Sequence, residues 1–254
     1  MSGDRLFVDL SDGVLGLTLN RPDKRNALDT QSVDALRAAL ERAELDADVR
    51  VVTVRGAGPD FCAGADLAEL LASADNTMEE NEAHAMRLGH VFVRMRELPK
   101  PVVAVVHGRA LAGGCGLASA CDIVLAHEAA TFGYPEVRRG FVPAMVMAML
   151  RRAVGEKVAV DLVMTGRLLT AAEAAGVGLV SRVLPKDGFD EQVSEILRRL
   201  AAGSPSALAL IKRQLYELDG LGFADGIALG ARVNATARAT PDFAAAVAHF
   251  LDKT

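Results

Sequence analysis

The sequence predicts an α/β fold, with a largely parallel, spiralling sheet followed by a region of helices alone. Three observations carry this reading. Short apolar runs alternate with amphipathic helical stretches up to about residue 185. The last ~65 residues hold helical patterns only, and strands separated by one or two helices favour parallel pairing. Two turns rich in small residues, Phe61-Cys62-Ala63-Gly64-Ala65-Asp66-Leu67 and Leu111-Ala112-Gly113-Gly114-Cys115-Gly116-Leu117-Ala118-Ser119, each lead into a helix. The chain has 254 residues and is 51% hydrophobic, enough for a real core in one or two domains. Aromatics are only 4%, so that core must be Ala, Val and Leu.

In chain order, residues 5–10 and 14–20 alternate around Asp12-Gly13 and predict a β-hairpin. A polar loop, Arg21-Pro22-Asp23-Lys24-Arg25-Asn26, follows. Asp29 or Thr30 can cap a helix carrying Val33, Leu36, Leu40 and Ala43 on one face. Residues 49–55 predict a strand that Gly56-Ala57-Gly58-Pro59 ends. Residues 72–82 are polar and read as a mobile segment before a helix over 83–97. A strand over 102–106 leads to the glycine turn, and 122–126 is another strand. Pro135 holds Tyr134 out of the helical region, so 131–135 is extended. Helices are expected over 142–153 and 156–164, split by Gly155. Thr170-Ala171-Ala172-Glu173 is a capping box opening a short helix to about Ala175. A strand over 179–184 closes the alternating part. Ser204-Pro205, Gly220 to Gly222 and Thr240-Pro241 punctuate the helices beyond.

Composition narrows the function. The net charge is −5 and no basic block occurs, which disfavours a nucleic-acid partner. Cys62, Cys115 and Cys121 show no metal or disulfide spacing, and an odd count suits a reducing compartment. No signal-peptide pattern opens the chain, and no uncharged stretch approaches the ~20 residues of a membrane span. The expectation is a soluble cytoplasmic protein with no membrane partner.

The glycine turn has two look-alikes. From Gly108 to Gly113-Gly114 it imitates a phosphate-binding loop, but Gly114 and Cys115 stand where Lys and Ser/Thr are needed. Gly114-x-Gly116-x-x-Ser119, with Glu136 downstream, partly imitates a dinucleotide fingerprint. Its third position is Ser, and its glycines sit several residues past the strand. No Gly-x-Ser-x-Gly elbow and no His-Glu zinc helix occurs, and His84 and His90, six apart, do not share a helix face, so no metal is expected. What remains is a pair of glycine turns at helix starts, each able to offer a free N–H to one oxygen.

The chain resembles the enoyl-CoA hydratase/isomerase family, the crotonase superfamily, from about Leu17 to Lys253. The resemblance rests on Leu19-Asn20-Arg21-Pro22 with Asn26-Ala27-Leu28, on the two turns, on Ala120-Cys121-Asp122-Ile123, on Phe132-Gly133-Tyr134-Pro135-Glu136, and on Leu179-Val180. It extends to methylglutaconyl-CoA hydratase-like members. It implies a crotonase-like spiral of ββα turns over residues 1–195, holding an acyl-CoA site. It also implies a helical region over 196–254 that assembles homotrimers, or hexamers as dimers of trimers. By the same resemblance, the backbone N–H groups of Ala65 and Gly113 form an oxyanion hole for a thioester carbonyl. Lys24, Arg25, Ala27, Ala63, Gly64, Asp66, Leu67, Phe250 and Lys253 fall at CoA-binding positions, and Gly116, Tyr134 and Pro135 in the acyl pocket. CoA belongs to the substrate, so no cofactor is expected.

Family hydratases use two glutamates, one three residues after the second oxyanion glycine and one at the place of Glu136. Here the first is Gly116. The expected reaction is syn addition of water to a 2-enoyl-CoA with Glu136 as the catalytic acid–base. The alternative is a Δ3,Δ2-enoyl-CoA isomerase, which needs only one base. A third reading keeps the fold as a non-catalytic acyl-CoA-binding protein.

Overall fold

The structure, a computed structural model, describes residues 4–252. Strands β1 (Leu6–Ser11) and β2 (Val14–Leu19) form the expected antiparallel hairpin. Asp12 and Gly13 both take positive φ, 50° and 76°. Those are the angles of a type I′ turn, whose twist matches its flanking strands. Helix α1 (Thr30–Leu45) is capped by Asp29, whose carboxylate accepts the Ser32 N–H at 2.8 Å. Its predicted face, Val33, Leu36, Leu40 and Ala43, is buried. Then come β3 (Val51–Gly56), α2 (Leu67–Ala72), α3 (Met78–Glu97), β4 (Val102–Val106), β5 (Arg109–Leu111) and α4 (Gly113–Ala120). The chain continues through β6 (Ile123–His127), β7 (Thr131–Gly133), a 3-10 turn (Pro135–Arg139), α5 (Met147–Ala153) and α6 (Glu156–Thr165). Next are β8 (Leu168–Thr170), α7 (Ala171–Gly176) and β9 (Arg182–Leu184). Only helices follow: α8 (Phe189–Ala201), α9 (Pro205–Glu217), α10 (Phe223–Arg238) and α11 (Pro241–Leu251).

The large sheet has the order β1-β2-β3-β4-β6-β9, parallel from β2 onward. Its central strands are apolar on both faces, as a sheet covered on both sides requires. Val52, Val54, Val102, Ala104 and Val106 point into the main core with α1. Val51, Val103 and Val105 point the other way, against Phe189, Val193 and Leu197 of α8. A smaller sheet, β5-β7-β8, forms a second layer. Isolated parallel bridges Leu28–Ala65 and Cys62–Ala110 extend it toward the loop after β2. Successive turns of chain thus leave one strand in each layer, which is the predicted spiral.

Several boundaries differ from expectation. Helix α3 begins at Met78 rather than 83, because Thr77 and Glu80 form a capping box. Helix α5 begins at Met147 rather than 142. Strand β9 begins at Arg182 rather than 179. Strands β5 and β8, three residues each, carry too little pattern to be read, so the glycine turn leaves β5 and not β4.

Candidate functional site

The first small-residue turn is held by the loop after β2. Leu28 N–H donates to Gly64 O at 2.8 Å, Asp66 N–H to Leu28 O at 2.9 Å, and Ala63 N–H to Arg25 O at 3.0 Å. With residues 64 and 66 paired to Leu28, the Ala65 N–H faces the opposite way. Gly64 has φ +101°, and a Cβ there would stand 2.8 Å from Ala112 Cβ and 3.1 Å from the Gly113 nitrogen. Only glycine admits both the angle and the approach.

The second turn comes off β5. Ala112 N–H donates to Gly133 O at 2.8 Å, and Ala112 itself takes φ 52°. Gly113 then opens α4. A Cβ on Gly113 would stand 3.6 Å from the Ala65 nitrogen, so the two turns touch at these residues. Among the described residues, neither the Ala65 N–H nor the Gly113 N–H has an acceptor. Two unengaged donors on touching turns, one at a helix N-terminus, can cradle an oxygen that gains negative charge. Gly114 makes the crossing possible: a Cβ there would be 2.7 Å from the Cys62 carbonyl carbon.

The third segment leaves the same end of the small sheet. β7 runs parallel to β5, with Gly133 opposite Leu111, so Tyr134-Pro135-Glu136 emerges beside Ala112-Gly113. Ligand sites favour such carboxyl ends of parallel strands. Glu136 lies in the 3-10 turn and is only 8% exposed, yet its Oε2 has no hydrogen-bond partner. Burial pushes its carboxyl above the ordinary 4.5, against its own backbone N–H and the Arg139 charge, which pull it down. Cys115, in the first turn of α4, senses it: burial first, and the Glu136 charge in part, hold that thiol up at about 11. Tyr134 is fully buried with its hydroxyl 3.2 Å from Ser119 Oγ, and Pro135 is buried as well.

Gly116 lies one helical turn beyond Gly113, on the same face of α4. It is buried under Val146. A Cβ on Gly116 would overlap Val146 Cγ1, stand 2.9 Å from Val146 Cβ and 3.7 Å from Phe92 Cζ. Leu88, one turn before Phe92 on α3, lies beside Gly113 in the same way, with its Cδ2 3.8 Å from a Cβ built there. Sequence reading missed the part that Val146 plays here. Val146 lies 30 residues past Gly116, and nothing in the pattern pairs them.

The residues at CoA-binding positions fall into two groups. Lys24 and Arg25 are exposed on the loop that binds Ala63, Gly64 and Asp66, and Ala27 is half-buried in it. The Asp66 carboxylate accepts from Arg21 Nη2 at 2.8 Å and from the Ala68 N–H at 2.9 Å, so it fixes the turn and caps α2. Arg21 also donates to Ala27 O at 2.6 Å, a role the sequence did not reveal. Leu67 is exposed at the start of α2. Phe250 is 71% exposed near the end of α11, which packs on α9 and α10. Lys253 lies outside the described residues. Among those residues no helix is long and apolar enough to cross a membrane.

Comparison with known proteins agrees with this geometry. A Thermus thermophilus protein that bears an enoyl-CoA hydratase name is 44% identical over 235 residues, covering 92% of this chain and 93% of that protein. The 2,3-dehydroadipyl-CoA hydratase of Escherichia coli is 36% identical over 249 residues, covering 98% and 96%. The crystal structure of an enoyl-CoA hydratase from Mycobacterium smegmatis superposes with a TM-score of 0.93 at 32% identity, covering 98% and 96%. Residues 9–254 match enoyl-CoA hydratase/isomerase as a family. The chain therefore belongs to the enoyl-CoA hydratase/isomerase family of enzymes, on a crotonase fold.

Proposed function

We propose that the protein adds water syn across the C2=C3 bond of a 2-enoyl-CoA, with Glu136 as its only acid–base group. The observation that carries this is the buried, unpartnered Glu136 Oε2 beside two unengaged N–H donors. The thioester oxygen accepts from the Ala65 and Gly113 N–H groups, which lowers the cost of an enolate. Glu136 takes a proton from water as the water oxygen bonds to C3. The C2=C3 electrons move onto C2 and the thioester oxygen. Glu136 then returns the proton to C2, so one water is consumed and the carboxylate is regenerated. A carboxyl raised by burial suits this shuttle, because its affinity for the proton is closer to neutral.

On this reading Lys24 meets a CoA phosphate, while Arg25, Ala27, Ala63, Gly64, Asp66 and Leu67 frame the adenine end. Phe250 and Lys253 reach CoA from a neighbouring subunit of a trimer or hexamer. CoA is part of the substrate, and the chemistry needs no further cofactor. The three cysteines are free and buried, which supports a reducing, cytoplasmic setting.

One observation favours a second reaction. Val146 fills the space over Gly116, so a second carboxylate has no room there. A single base suffices to move a proton between C4 and C2, converting a 3-enoyl-CoA to a 2-enoyl-CoA. Purified protein given each thioester separately decides. Loss of conjugated thioester absorbance from the 2-enoyl-CoA means hydration. Its appearance from the 3-enoyl-CoA means isomerisation, and neither change overturns both reactions.

A further inference from the structure

We infer that Val146 is a specificity-determining residue: it forms, with Phe92 and Leu88, an apolar acyl-facing wall that limits branching at C3 of the acyl chain. This rests on the acyl-CoA reading above. Gly113 and Gly116 form one stripe of α4, and Leu88 and Phe92, four apart, form the facing stripe of α3. Leu88 meets the oxyanion end of the α4 stripe and Phe92 the Gly116 end. Val146 is wedged over Gly116, just before α5. An acyl group whose thioester oxygen sits at Ala65 and Gly113 leaves along these side chains. Leu88 and Met145 are half-buried, whereas Phe92 and Val146 are only 4% exposed. The first pair makes the rim and the second the floor. Met145, beside Val146, also meets α3 at Gly89, with its sulfur 3.4 Å from a Cβ built there. No ionisable group belongs to this wall, so it accepts an aliphatic chain and offers nothing to a charged one.

The glycine at 116 and the valine at 146 form one steric unit. A side chain at 116 needs Val146 to leave, and a smaller residue at 146 leaves a gap against the acyl chain. A site of this kind discriminates a single methyl group by about tenfold.

Affinities of unreactive saturated thioesters read this without turnover. Butyryl-CoA and isovaleryl-CoA are titrated calorimetrically into the wild type, Val146→Ala and Val146→Leu, with folding checked by near-UV circular dichroism. Val146→Ala shifts the affinity ratio about five- to tenfold toward isovaleryl-CoA, and Val146→Leu shifts it the other way. A ratio that stays within twofold in both variants, with the wild type binding both thioesters, overturns this role and leaves the proposed function standing. A wild type that binds neither thioester overturns the acyl-CoA reading and this inference together. Thermal melting tests the steric unit separately: Gly116→Ala alone lowers Tm, and Gly116→Ala with Val146→Gly recovers it. Failure of that recovery also counts against the assignment.

Discussion

Glu136 is a residue held at a cost to stability. Its folded carboxyl lies above the ordinary 4.5 because burial disfavours its charge. Between 4.5 and that raised value the folded chain binds the proton more tightly than the unfolded chain does. Stability conferred at low pH is therefore lost as pH rises through that window, and above it the full cost of the buried charge remains. Glu136→Gln should raise Tm at pH 7, and the gain should shrink toward pH 4. The same change should lower kcat about 10²- to 10⁴-fold, the usual worth of a general acid–base group. In the wild type, kcat/KM should fall on the acid side with an apparent pKa above 4.5. A Tm at pH 7 that stays level or drops counts against the strained-carboxylate account. Gly64 offers a second test. Gly64→Ala forces a Cβ at φ +101° to 2.8 Å from Ala112 Cβ, and so swings the Ala65 N–H. Steady-state kinetics should show kcat down ~10²- to 10³-fold, as for a lost oxyanion donor, with KM changed far less. A loss expressed only in KM refutes the donor role. The sequence exposed these two residues because each carries a chemical signature: a glycine at a helix start, an acid after an apolar run. Val146 carries none, since its meaning lies in a contact made 30 residues away.

At the scale of elements, the helical region is tied to the spiral by a buried polar knot. Lys212 of α9 is 7% exposed and lies 2.7 Å from Asp122, just before β6. Its ammonium also donates to Met95 O at 2.7 Å, in the last turn of α3, and to Lys100 O at 2.9 Å, just before β4. Asp122 in turn accepts from Tyr216 Oη at 2.6 Å and from the Val102 N–H at 2.7 Å. Burial pulls the Lys212 ammonium below its usual range, while Asp122 holds it up. Cutting one partner leaves a buried charge alone, so Lys212→Met should cost about 3–5 kcal/mol. Denaturant titration measures that loss, and hydrogen exchange should locate it in α9. A loss below ~1 kcal/mol would mean the knot is solvated and weak. The sequence quoted Asp122 within a motif but gave no hint of its partner, which lies 90 residues on. Elements with a local cause were legible: the hairpin through Asp12-Gly13, α1 through Asp29, α7 through its capping box. Strands β5 and β8 were not, because three residues paired at a distance leave no period to read. The start of α3 was legible in principle, since Thr77 and Glu80 are three apart in the sequence.

At the scale of the whole molecule, an apolar face lies on the helical region. Ile211, Leu215, Leu218, Leu221, Phe223 and Ile227 of α9, α10 and the turn between them are exposed, Phe223 by 88%. A groove of about 470 Å³ is lined by Leu218, Leu221, Phe223 and Ile227. Monomers rarely expose broad apolar patches, and the proposed trimer or hexamer would cover this one. Phe223→Asp with Ile227→Asp places two charges on that face and should dissociate the assembly to monomers in sedimentation velocity. The helical fold should survive, because both side chains already lie outside the core. The proposed Lys253 contact would join assembly to chemistry. If it reaches CoA from a neighbouring subunit, Lys253→Ala should weaken CoA binding in the assembled protein by about tenfold, the lower end of one charge-assisted contact. In the dissociated variant the same substitution should then change nothing, because the contact is already gone. Isothermal titration of CoA into the four proteins reads the cycle directly. Equal losses in both backgrounds would place the Lys253 contact within one chain and separate assembly from substrate binding.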